Sequence, residues 1–459
     1  MRAIRNTHSP INRLPPEVLS RIFEHRGRER DLVAATHVCQ YWRSTLISSP
    51  SLWTTFQLGS NHDVGRTLAY LERSKSATIN IKITMNSLQE LEALHHLAPH
   101  IHRTSSFAIR GSLGVHVASS LLLCSPAPNL KRLEMYARDG SVRNLDNFLG
   151  RQAPSLRFVS FNGIFPVPES PFTIPNLTEL TLHLPVGAGP FRISSLIRFC
   201  VNCPRLQTIR ANISSEIFRD AGSDEITSLE SLVELDFTSV TVGRVLPYLK
   251  LPRLKRLTVT SSLQAGKTNK FTDFLPHGGR ALLAGATKMF SFSDPDSQRV
   301  DLSGEGTEAS FTVMGTVLGP APVDWFSNEG YIPFERIGDL TVQCCHAPTN
   351  TPINLFKNLT ILRMVSLDAQ FTEGCLRMLY PRPGAGVPCP SLRRMEHTLW
   401  TPTQSLMRPL ISLVKARESI GHRVELVCIT TDLEIDQDLE DELRKHVGEL
   451  RISSLVGGL

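Results

Sequence analysis

Two hydrophobic periodicities divide this chain. Between residues 12 and 56, apolar side chains recur at helical steps. Pro15 and Pro16 stand where a missing N–H costs nothing, Glu17 complements a helix dipole, and Val18, Leu19, Ile22 and Phe23 fall on one stripe, which predicts a short amphipathic helix. The basic, glycine-containing run through Arg26, Arg28 and Arg30 breaks it and reads as a solvated loop. Asp31 is then the predicted N-cap of a run in which Leu32, Ala35, Cys39, Trp42 and Leu46 fall at steps of 3, 4, 3 and 4, and Pro50 ends that run. Ser51-Leu52-Trp53 follows, with two large apolar residues that need a partner surface. So short a helical segment buries too little of its own surface to stand alone, so it is expected to dock.

From about residue 77 the period changes. A Leu-x-x-Leu-x-Leu-like unit recurs, clearest at Leu130, Leu177, Leu232, Leu254 and Leu359, with looser copies starting at Thr78, Thr104, Leu156, Leu206, Ile337 and Leu392. The starts at 78, 104, 130 and 156 are each 26 apart, within the span of leucine-rich repeats. Six units carry proline two residues upstream, at Pro128, Pro154, Pro175, Pro204, Pro252 and Pro390, where a fixed φ and an absent N–H suit the approach to a short strand. Alternation inside each unit points two side chains to a core and leaves the others outside. Segments such as Val142 to Gly150 and Ser194 to Asn202 have helical spacing and are expected behind the sheet. The turn-filling Asn or Cys of an ordinary unit is found only at Asn86 and Cys345, with Ser112, Ser214 and Ser262 as weaker substitutes, so the expected horseshoe is irregular. Between Phe271 and Glu335 the pattern fades to Phe290-Ser-Phe292 and Phe311-Thr-Val313, read as two degenerate repeats, with a small inserted hairpin as the other reading. In the acidic end, Ile435, Leu439, Leu443 and Val447 recur at steps of four and predict a final helix capping the array.

The first segment carries a resemblance. Leu14-Pro15-Pro16-Glu17-Val18-Leu19, then Ile22-Phe23, then Val38-Cys39 with Trp42-Arg43, then Ser51-Leu52-Trp53, resembles an F-box in order and spacing, over about a tenth of the chain. The resemblance implies three short helices that interlock with a Skp-type linker protein, which joins the F-box protein to a cullin-RING ubiquitin ligase. It points to Leu14, Pro15, Val18, Leu19, Ile22, Val38, Trp42, Leu52 and Trp53 as linker-binding positions, with Cys39 and Leu46 more suited to holding the helices together. An amino-terminal F-box with irregular repeats is similar to the large F-box families of fungi. The expected fold class is α/β: a three-helix F-box in residues 1–60, then an irregular leucine-rich-repeat horseshoe in 61–459 with short parallel strands inside and helices outside.

Charge and candidate chemistry change this picture little. Lys+Arg 49 against Asp+Glu 43 leaves a net +6, too small for a dedicated nucleic-acid binder of this length. The ends differ: residues 1–50 hold eight Arg and four acids, a net +4, and residues 432–451 hold eight acids and three bases, a net −5. No apolar run approaches the roughly 18 residues of a membrane span, and the start of the chain has no hydrophobic signal region. Nine scattered Cys fit reduced thiols, so a cytoplasmic or nuclear setting is expected. Cys200-Val-Asn-Cys203 lacks a second ligand pair, and Cys203-Pro204 and Cys389-Pro390 share one repeat context, which reads as packing. His96 and His100 have metal-ligand spacing, but Pro99 interrupts their helix, and Cys344-Cys345-His346 ends a strand. Phosphate-loop, dinucleotide, nucleophile-elbow and zincin motifs do not occur, so no catalytic residue, cofactor or metal is expected.

The expected function is therefore a substrate-recognition adaptor of an SCF-type ligase, with a non-degradative protein-interaction scaffold as the alternative. Partner recognition is expected on the concave sheet face, where Arg132, Tyr136, Phe158, Asp236, Arg256 and Arg363 point outward by strand alternation. Seven basic and seven acidic outward positions describe a mixed-charge surface for a protein partner and not a nucleic-acid groove.

Overall fold

The computed structural model describes residues 9–26, 29–58, 64–85, 90–111, 125–137, 149, 152–163, 165, 173–185, 191–214, 217–218, 226–239, 242–262, 271–293, 297–314, 332–344, 356–366, 369–382, 384, 386–399 and 404–454. The chain forms two compact units, residues 1–220 and 221–459. The expected helix at Val142 to Gly150 and the turn residues Asn86, Ser112 and Cys345 fall outside the described residues, apart from Leu149.

The first unit opens with helices α1 (Pro16–Arg26), α2 (Glu29–Ala35) and α3 (Gln40–Ser48), followed by strand β1 (Thr55–Leu58). Asp31 lies inside α2 and does not cap it, and the run expected to continue to Pro50 is two helices. The break has a local cause. Thr36 donates its hydroxyl to Val33 O at 2.7 Å, the N–H groups of His37 and Val38 close three-residue turns on Ala34 O and Ala35 O, and Cys39 is fully extended at φ −156°, ψ 168° before α3 begins. Hydroxyl-to-carbonyl bonding of this kind offers the backbone an alternative to continued helix. Apolar steps of three and four pass straight through the break and hide it.

After α4 (Val64–Ser74) come β2 (Ile79–Met85), α5 (Glu90–Leu97), β3 (Thr104–Gly111), β4 (Arg132–Ala137), β5 (Phe158–Asn162), β6 (Glu179–Leu184), α6 (Ile193–Val201) and β7 (Thr208–Ile213). Strands β1 to β7 pair as parallel neighbours in chain order. The F-box-resembling segment thus ends as the first strand of the sheet.

The strands begin where the repeat says they should. In the tidy units the strand starts two residues after the first Leu, as Leu130 to Arg132 and Leu177 to Glu179 illustrate. That Leu donates its N–H three residues back, Leu130 to Ala127, Leu156 to Ala153, Leu177 to Ile174, Leu206 to Cys203 and Leu392 to Cys389, and each accepting residue is buried. The intervening proline supplies the bent φ. Asn129, Asn176 and Asn358, each just before the repeat Leu, donate their side-chain amides to the carbonyls of His102, Pro154 and Glu335 in the preceding turn at 2.9, 2.6 and 2.6 Å. These asparagines tie successive units together. At the end of β5, Gly163 has φ +68°, and a Cβ there would sit 2.1 Å from Ala137 O, so only glycine permits this exit from the strand.

The second unit contains β8 (Glu234–Ser239), β9 (Arg256–Ser262), β10 (Ala286–Ser293), β11 (Ser297–Gly304), β12 (Thr307–Met314), β13 (Asp339–Cys344) and β14 (Ile361–Ser366). Then follow α7 (Ala369–Met378), β15 (Arg394–Leu399), α8 (Gln404–Ser419), β16 (Leu426–Thr430), α9 (Gln437–His446) and β17 (Glu449–Ser453). Its sheet runs β8-β9-β12-β11-β10-β13-β14-β15-β16-β17, parallel except that β11 is antiparallel to both neighbours. The faded stretch is therefore a three-stranded meander set into a parallel sheet and not two degenerate repeats. Glu305 and Gly306, at φ +73°, make the short turn between β11 and β12. The acidic end forms α9, with Asp436 accepting from Asp438 N–H at 3.0 Å and Arg444, Lys445 and His446 at the negative end of the dipole. β17 follows and pairs with β16, so the helix precedes the last strand and does not close the array.

Candidate functional site

The amino-terminal helices are bolted together from inside. Leu19, Leu46 and Trp53 are completely buried. Trp53 donates its indole N–H to Leu46 O at 2.8 Å and meets Tyr70 edge-on at 4.8 Å. Trp42 donates to Asn12 Oδ1 at 2.6 Å and packs edge-on against Phe23 at 5.3 Å, while Tyr41 donates to Leu14 O at 2.6 Å. These bonds satisfy the polar tips that make aromatic residues costly to bury.

The nine expected linker-binding residues therefore separate into two groups. Leu19 and Trp53 are interior, and Leu14, Trp42 and Leu52 are half-buried. Pro15 is exposed, as are Val18 at 42%, Ile22 at 37% and Val38 at 58%. Val18 and Ile22 share one face of α1 at a spacing of four, and Val38 stands in the turn between α2 and α3. Ile11, in the turn Pro10–Arg13 before α1, is exposed as well; its lack of helical spacing hid it.

On the sheet of the first unit, register brings two of the expected residues together. Arg132 stands opposite Phe158, and its guanidinium lies 3.8 Å from the ring centroid. Arg132 also pairs with Glu134 at 2.7 Å, and Arg110 approaches the other oxygen of that carboxylate at 3.7 Å. Tyr136 is exposed two rows further along β4, in register with Arg110 and Asn162. In the second unit Arg256 pairs with Glu234 at 2.6 Å, Asp236 is half-buried on the same strand as Glu234, and Arg363 bridges Asp339 on β13 and Glu396 on β15. Each arginine of the expected set is thus matched by a carboxylate of its own sheet.

Cys200, Cys203 and Cys389 occupy packing positions, and the histidines between residues 95 and 102 lie at or near the surface. Cys203 and Cys389 replace the Ala127, Ala153 and Ile174 of other units at the turn before the strand. Burial pushes the thiols of Cys203 and Cys389 up to about 12, and that of Cys200 well above its ordinary value. His95, His96 and His102 are exposed, and His100 accepts from Arg103 Nε at 3.3 Å. Among the described residues no group of three metal-ligating side chains converges. No helix among them is long and apolar enough to cross a membrane.

Residues 11–58 match the family described as F-box-like, and the chain carries an F-box-like domain there. No curated relative matches the chain.

Proposed function

We propose that this protein is a substrate-recognition adaptor of an SCF-type cullin-RING ubiquitin ligase. The F-box-like domain docks a Skp-type linker protein, and through it a cullin scaffold. The remaining chain, an irregular leucine-rich-repeat horseshoe in this reading, binds a protein substrate. The observation that carries the proposal is the F-box-like match over residues 11–58, in which Ile11, Val18, Ile22 and Val38 are exposed while Leu19, Leu46 and Trp53 are buried. Exposed aliphatic side chains beside satisfied buried aromatics are what a docking face requires. Leu19, Trp53 and the half-buried Trp42 serve the interface by holding that face in place. Strict chain-order pairing of parallel strands, with Asn side chains linking successive turns, supports the repeat reading.

The test is co-purification of the full chain with a Skp-type linker and a cullin. Val18→Asp together with Val38→Asp is expected to lower linker affinity by about two orders of magnitude, because charges would be desolvated in an apolar contact, while the melting transition stays unchanged. Undiminished linker capture by that folded variant would refute the docking proposal. Substitution at Leu19 is uninformative, since it unpacks the domain.

A further inference from the structure

We propose that the first unit carries a second interaction surface, a cationic groove between α3 of the F-box-like domain and the end of α4 that takes an acidic segment of a partner protein. Gln40, Arg43, Ser44, Ile47 and Ser48 form one wall, a single face of α3 at positions i, i+3, i+4, i+7 and i+8. Glu72, Arg73 and Lys75 at the end of α4 form the other, and the groove encloses about 670 Å³. Three cations stand against one carboxylate. None of Arg43, Arg73 and Lys75 makes an ion pair or a side-chain hydrogen bond among the described residues. That sets them apart from the sheet arginines, which are matched by carboxylates of their own unit.

Two observations show that Lys75 is not needed by the fold where it stands. The end of α4 is capped by another residue: buried Arg103 donates to Ser74 Oγ at 3.1 Å and to Ala77 O at 2.7 Å, beside a longer contact to Leu71 O. Lys75 holds φ +48°, a left-handed position that Gly or Asn occupies at less cost. Arg73 lies 4.4 Å over the Trp53 ring. The contact holds the guanidinium at the groove wall, and Arg recognises a carboxylate in bidentate fashion. Half-buried Ile47 gives the wall of α3 one apolar point. The complementary ligand is a Glu/Asp-rich segment with an aliphatic residue among its carboxylates. This proposal does not depend on linker docking.

The probe is a fluorescein-labelled Glu/Asp-rich peptide with a central Leu, titrated with the full chain by fluorescence anisotropy. Arg43→Glu with Lys75→Glu is expected to weaken binding at least about tenfold. Lys131→Glu with Arg157→Glu makes the same change in net charge at exposed sites of the same unit outside the groove, and is expected to leave affinity within about twofold. Should the reversal variant fold poorly, Arg43→Gln with Lys75→Asn removes the charges with a residue suited to the left-handed position, and a loss of at least about threefold is expected. Val18→Asp with Val38→Asp should keep peptide binding, which separates this groove from the docking face. Equal losses in the groove and control variants, or full affinity in a folded groove variant, would overturn the proposal. So would a duplex DNA that binds the same groove more tightly than the peptide.

Discussion

At the scale of one residue, a buried imidazole makes the second unit acid-sensitive. His397 on β15 is 3% exposed, lies in register between Met364 and Ile429, and its Nε2 has no hydrogen-bond partner. Burial pushes its pKa down to about 4 from 6.5. The unfolded chain therefore binds a proton that the folded chain refuses. Stability is fully present above about pH 6.5 and declines as pH falls through 6.5 toward 4, by about 3 kcal/mol at the lower end. His397→Leu should flatten that decline, read as the urea midpoint at pH 7, 5.5 and 4.5. A variant whose midpoints fall in parallel with the parent chain would show that other groups govern acid unfolding.

At the scale of elements, the buried guanidinium of Arg417 joins α8 to the turn before β15. It is fully buried and donates to Pro388 O at 2.8 Å and Cys389 O at 2.9 Å, where Cys389 holds φ +47°. Arg417→Met removes the donor to Pro388 O and leaves Cys389 O only the Leu392 N–H, and should cost about 3 kcal/mol in urea unfolding. Arg417→Lys should recover little of that, since one ammonium cannot reproduce the forked geometry; full recovery would show that charge alone matters there. Neither Arg417 nor Arg103 could be found from sequence, because arginine reads as surface and only tertiary packing closes over it. The strands were legible, because proline two residues before a Leu-x-x-Leu-x-Leu unit sets a local turn whatever lies around it. The meander was not, because β11 offers only Val300 and Leu302 as inward apolar residues, the third inward position being Gln298. The docking face was legible as a motif but not as a surface: Val18 and Leu19 are adjacent in the motif, yet one is exposed and the other interior. The asparagines before the repeat Leu stand ahead of the strand, whereas the turn-filling Asn of an ordinary unit follows it.

At the scale of the whole molecule, the outward sheet residues decide whether the adaptor reading extends beyond the docking domain. Their charges are matched within each unit, so they contribute little to stability as exposed pairs and present a mixed-charge surface to a partner. Arg132 with Phe158, and Tyr136 two rows further along β4, give the first unit a loose cluster of the arginine and aromatic side chains that dominate binding energy in protein interfaces. Arg132→Glu with Tyr136→Ala tests that cluster, and Asp236→Arg with Arg256→Glu tests the corresponding face of the second unit. Arg363 is left intact, because reversing it would set three carboxylates together on neighbouring strands. Substrate captured by the full chain during proteasome inhibition is the readout, with linker co-purification measured in the same samples. The first variant should lose substrate by about tenfold or more while linker capture stays level, and a further loss in the second variant would extend the surface to both units. Substrate binding at full strength in both variants, with linker capture unchanged, would move recognition off the sheet and onto the loops.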